Sequence, residues 1–99
     1  MLEQLKTSLR ISHNKLDDDL KANILACIDD LKKVGVAYVD YKSNSDDFYG
    51  SELQSKAIEL YIKWQYDFNG KGEQFRKNYE SLRDSMALSN LYNGGDTDV

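Results

Sequence analysis

The 99-residue sequence has no proline, and only one cysteine (Cys27), one histidine (His13) and one tryptophan (Trp64). Without proline, no helix is forced to kink or stop at one, so helix ends are expected at glycines. A lone cysteine cannot close an internal disulfide, and nothing points to an oxidising, secreted scaffold. His13 lies in a polar break with no cysteine partner, so neither a metal site nor a Ser/His/Asp or Cys/His arrangement is assembled around it. No apolar run approaches the roughly 20 residues of a membrane helix. The opening Met1-Leu2-Glu3-Gln4-Leu5 lacks the charged-then-apolar pattern of a signal peptide, so a cytoplasmic origin is expected.

Excess positive charge is also missing. The formal net charge is −4 and the sequence pI is about 4.9. That argues against a protein that grips nucleic-acid phosphates, because such binding rests on Lys and Arg. The best-placed bases, Lys71, Arg76, Lys77 and Arg83, are interleaved with Glu73, Glu80 and Asp84 and read as a solvated face. Arg83 is the exception: it follows Leu82 and is placed to fork onto a neighbouring carboxylate.

What is present reads as helix. Hydrophobic residues make up 40% and charged residues 30%, which fits one globular domain. Leu2, Leu5 and Leu9 share one helical face. Ser12-His13-Asn14 then breaks the pattern, with Ser12 or Asn14 as the expected N-cap of a second helix. Leu16, Leu20, Ile24, Cys27, Ile28 and Leu31 form its stripe. Asp17, Asp18 and Asp19 sit in its first turn and Lys32 and Lys33 in its last, as the helix dipole favours. Gly35 is the expected C′ residue. The three aspartates are adjacent and point apart, so a metal cluster is not expected.

Val36 to Tyr41 has β-branched and aromatic content, but no second strand pattern stands beside it. It reads as an extended segment packing Tyr38 or Tyr41 on the helices, followed by a polar loop to Gly50. Ser51-Glu52-Leu53-Gln54 fits a capping box. A third helix follows, with Leu53, Ala57, Leu60, Tyr61, Trp64 and Phe68 inward, stopped by Asn69-Gly70-Lys71-Gly72. That glycine pair is too short for a phosphate-binding loop and follows no strand. A fourth helix is expected from about Glu73 to Leu88, with Phe75, Tyr79, Leu82 and Met86 inward. Asp29 with Lys33, and Glu59 with Lys63, have ion-pair spacing. All the aromatic residues lie between Tyr38 and Tyr92, so an aromatic second half is expected, with leucine and isoleucine of the first half packed on it.

The expected fold is all-α: a small bundle of about four helices, with a long loop between helices 2 and 3 and a C-terminal arm. Residues 1–92 form one domain and 93–99 a flexible acidic tail. No catalytic, metal or cofactor-binding residue is expected. Leu88, Leu91 and Tyr92 on the arm, Arg83 before it, and Tyr41, Phe48 and Tyr49 in the loop are the candidate protein-interface residues.

Three segments carry a resemblance. They are Leu31-Lys32-Lys33-Val34-Gly35-Val36, then Ala57-Ile58-Glu59-Leu60-Tyr61-Ile62-Lys63-Trp64, then Phe75, Tyr79-Glu80-Ser81-Leu82 and Met86-Ala87-Leu88-Ser89. In order and spacing the sequence resembles the tailed-phage head–tail connector proteins, also called head completion or DNA-packaging adaptors. The similarity runs from about Leu16 to Tyr92. It implies a structural subunit of the virion head–tail junction, assembled in the host cytoplasm as a ring, expected to be a dodecamer. Its implied partners are the portal protein and a tail-proximal connector or stopper protein. DNA would pass through the channel without specific binding, and no membrane, cofactor or enzymatic activity is implied. The alternative from another class is a soluble helical regulator that binds one host or phage protein through the arm.

Overall fold

A computed structural model describes residues 1–97, with side chains described through Ser89. Four helices are joined in the order α1 (Leu2–Leu9), α2 (Asp17–Lys33), α3 (Glu52–Gln65) and α4 (Gly72–Thr97). Between α2 and α3 lie two short strands, β1 (Asp40–Lys42) and β2 (Asp47–Tyr49). They pair antiparallel, with Tyr41 opposite Phe48. The fold is therefore mostly helical rather than strictly all-α. At three residues each, the strands are too short to show alternation in the sequence, and they depend on the helices for support.

Leu2, Leu5 and Leu9 of α1 are buried as their spacing requires, and Lys6 is buried beside them. The Lys6 ammonium donates to Asn14 Oδ1 at 2.8 Å and stands 3.0 Å from Asp17 Oδ1. That contact redirects Asn14. Helix α2 begins after Leu16 with no side-chain cap, so the expected Ser12 or Asn14 cap is not formed. The three first-turn aspartates still face the positive end of the dipole. At the other end, the Gly35 N–H donates to the Lys32 carbonyl and the Val36 N–H to the Leu31 carbonyl. This is a Schellman closure, with Gly35 at φ +91° as the left-handed residue it needs.

The capping box of α3 is complete. Gln54 N–H donates to Ser51 Oγ at 3.1 Å, and Ser51 N–H donates to Gln54 Oε1 at 2.8 Å. The buried face of α3 is turned from the expected stripe: Ala57, Ile58, Leu60 and Ile62 are buried, while Tyr61, Trp64 and Phe68 are half-buried and Leu53 is 58% exposed. The helix packs against α1 and α2 as well as α4, so its apolar face is wider than one stripe.

Asp67 and Asn69, both at positive φ, turn the chain back after α3. Asp67 Oδ1 then accepts from the Gly72 N–H at 2.7 Å and satisfies an amide at the start of α4. Gly72 is needed there, since a Cβ would meet Asp67 Oδ1 at 2.7 Å and the Trp64 carbonyl oxygen at 3.3 Å. Helix α4 runs antiparallel to α3, so that Phe75 meets Phe68, Tyr79 meets Tyr61, and Met86 lies near Leu53. It continues to Thr97 rather than ending near Leu88. Gly94 and Gly95, in the segment expected to be a tail, each cost about 1 kcal/mol relative to alanine, which weakens a helix without breaking it as proline would. At 26 residues against 14, α4 is about 39 Å long and α3 about 21 Å.

The core gathers Leu20, Ile24 and Leu31 of α2, Ile58 and Ile62 of α3, and Tyr79 of α4. Among the described residues only Tyr41 and Tyr79 are fully buried aromatics, so the second half is less aromatic at its centre than expected. The other rings form a half-buried shell, with Tyr61 edge-on to both Trp64 and Tyr79 at about 5.4 and 5.3 Å between centroids.

Candidate interaction surfaces

Arg83 does fork onto carboxylates. Its Nη1 lies 3.1 Å from Asp30 Oδ2 on α2, and its Nη2 lies 2.9 Å from Asp84. Tyr79 Oη donates to the same Asp30 oxygen at 2.6 Å, and Cys27 Sγ approaches that hydroxyl at 3.8 Å. Asp30 therefore ties α4 to α2 at two successive turns. Burial pushes the Tyr79 phenol above its ordinary range, and the nearby Cys27 and Asp30 add to it. Burial likewise pushes the Cys27 thiol up to about 12, so it is not a nucleophile at neutral pH. The cluster borders an open surface cavity of about 370 Å³, lined by Asp29, Asp30, Lys33, Tyr61, Trp64 and Arg83. Its chemistry is that of a helix clamp.

The charged surface is largely self-paired. Arg76 contacts Glu73 at 2.8 Å and Glu80 at 3.7 Å, and Lys63 pairs with Glu59 at 3.1 Å. Asp29 and Lys33 share the cavity rim without being among the described ion pairs. The α2 aspartates diverge: Asp17 faces Lys6, and Asp19 accepts a hydrogen bond from the Tyr66 hydroxyl. His13 accepts the Lys15 N–H at 3.2 Å, closing a surface turn. Among the described residues, no group of three or more His, Cys, Asp or Glu side chains is placed to hold a metal ion. No helix among them is long and apolar enough to cross a membrane.

Helices α3 and α4 each leave a large apolar side chain exposed. Leu53 is 58% exposed and Leu88 69% exposed. Leu53 borders a groove of about 150 Å³ with Val36, Ser51, Gln54, Met86 and Ser89. Tyr38, two residues after Val36, is 95% exposed and at φ +60°. A bulky residue in the left-handed region costs roughly 1–3 kcal/mol and persists only when its neighbours impose it. Here Val36 and Val39 are both buried, and Gln54 Nε2 holds the Ala37 carbonyl at 3.2 Å. Of the two tyrosines from which the packing ring was expected, Tyr41 is buried as expected and Tyr38 points outward.

Of the other interface candidates, Tyr41 is buried, Phe48 half-buried and Tyr49 54% exposed. The side chains of Leu91 and Tyr92, and the acidic tail beyond Thr97, lie outside the described residues. Sequence reasoning placed Leu53 inward and assigned Asp46 no role. Leu53 carries no signal, because it shares the helical face of Ala57 and differs only in standing at the open end of the bundle.

Asp46 sits at the hairpin turn at φ +58°, a conformation that aspartate tolerates better than most side chains. Its carboxylate accepts the Leu2 N–H at 3.1 Å, the Met1 ammonium at 3.2 Å and the Tyr41 hydroxyl at 2.5 Å. Burial alone would raise its pKa. The hydrogen bonds from Tyr41 and Leu2 and the facing ammonium outweigh that and hold it below the usual carboxylate range.

Residues 1–93 match the family described as phage connector protein. No curated protein and no solved structure matches the chain.

Proposed function

The chain belongs to the phage connector protein family, a family of structural virion proteins, and we propose that it acts as a ring-forming adaptor at the head–tail junction. In this reading the subunits assemble beneath the portal after DNA packaging, as a dodecamer. They extend the DNA channel and present a platform to a tail-proximal connector or stopper protein. The observation that carries the reading is apolar surface left uncovered: Leu53 beside the Met86 groove, with Leu88 and Tyr38 also exposed. A ring closes through a heterologous contact that joins two different patches on each subunit. At about 800 Å² per patch, two such contacts take roughly a quarter of the 6295 Å² surface, which leaves the helix faces and the projecting end of α4 to share the load. A net charge of −4 suits a channel wall, because repulsion keeps passing DNA from adhering.

Light scattering on size-exclusion fractions, with and without the portal, tests this directly. The full chain is expected to form a large complex in the portal's presence, and a chain lacking residues 88–99 is expected to lose it. If the truncated chain self-associates and binds portal as the full chain does, the arm has no assembly role. If the full chain stays monomeric beside the portal and captures one other phage or host protein, it is a regulator instead.

A further inference from the structure

We infer that α1 and the β-hairpin form one detachable unit, latched shut by Asp46, which opens as a whole while α2, α3 and α4 stay packed. This goes beyond assembly at the head–tail junction and does not depend on it. Neither part is built to stand alone. Helix α1 has eight residues, well short of the length at which an isolated helix holds. The hairpin has two three-residue strands, again below independent stability. The two are tied to each other through the Asp46 carboxylate, while the Lys6 ammonium holds α1 to Asn14 and to Asp17 of α2. Helix α1 has no cap of its own, and Asp46 supplies one from 44 residues away by accepting the Leu2 amide. The same carboxylate takes the Tyr41 hydroxyl from inside the hairpin. Losing it unties both segments together, and an open latch would bare Leu2, Leu5, Leu9 and Tyr41, all now buried. That would give the subunit a second apolar surface which the closed form conceals.

Hydrogen–deuterium exchange on the full chain tests the coupling. Asp46→Asn keeps a residue that tolerates positive φ and removes the charge. It is expected to speed exchange about tenfold in both 2–9 and 40–49, and to leave 57–64 and 76–83 unchanged. Tyr41→Phe keeps the buried ring and removes only the hydroxyl. It is expected to speed exchange in 2–9 as well, although that hydroxyl's hydrogen bond is to the hairpin's own Asp46. Acceleration in only one of the two segments, in neither, or equally across α3 and α4 overturns the proposal. So does a Tyr41→Phe variant whose α1 exchanges like the parent.

Discussion

Around Tyr79, three helices meet through buried carbon, with Ile58, Ile62, Leu20 and Ile24 packed to near-zero exposure. Around Asp46, an eight-residue helix and a short hairpin meet through one carboxylate. The first region gains stability from area removed from water, which changes little with pH or salt. The second gains it from hydrogen bonds to a charged group at the surface, which are fewer and respond to acid. The comparison teaches that a small domain can hold a firm body and a conditional appendage in one chain. It also separates the two kinds of residue that mutation would reveal.

The sharpest way to break the comparison is to hollow out the firm region. Tyr79→Ala is expected to cost about 3–5 kcal/mol, a large share of the stability of a domain this size. Urea denaturation would show a lower midpoint for the whole chain. A loss confined to α1 and the hairpin would mean that the body is not where the stability lies.

A smaller effect is expected from Tyr79→Phe, which keeps the ring and removes the donor to Asp30. About 1–2 kcal/mol should be lost, because Asp30 retains Arg83 as a partner. If the variant is as stable as the parent, the clamp between α4 and α2 rests on packing alone.

Smaller again is Ser51→Ala, which removes half of the α3 capping box at an expected cost of about 1 kcal/mol. An unchanged denaturation midpoint would show that tertiary packing holds α3 without its cap.

The conditional region is probed by acid. Asp46 has a depressed pKa in the folded state, so its contribution is complete above the unfolded carboxylate value of about 3.9 and is lost as the pH falls through the lower folded value. The groups around it are the Met1 ammonium, Tyr41, Asp47 on the hairpin and Glu52 on α3. NMR amide signals of residues 2–9 and 40–49 are expected to broaden or shift together below about pH 4, ahead of those of α3. An Asp46→Asn variant should lack that step. Segments 2–9 and 40–49 titrating separately would dissolve the idea of a shared latch.

Much of the body was legible from spacing. The α2 stripe from Leu20 to Leu31, the Gly35 closure and the Ser51–Gln54 box are all local patterns, written within one helix length and observed as expected. The family likeness rested on the same helices. The appendage was not legible. Strands of three residues show no period, and an N-cap supplied from 44 residues away has no local signature. The interaction surface was legible only in part. Arg83 was marked for a carboxylate, but Asp30 lies 53 positions away, and the exposure of Leu53 and Tyr38 depends on where neighbouring elements end.

The sequence by itself determined that this is an acidic, mostly helical chain, because helix periodicity, caps and charge balance are local properties of the chain. Only the tertiary structure decided which buried groups hold it together and which apolar groups remain for a partner. Burial and long-range hydrogen bonds depend on which helices meet and where each one stops. Tyr79 became a core residue because α2 and α3 close over it, and Leu53 stayed 58% exposed because no element closes fully over it among the described residues.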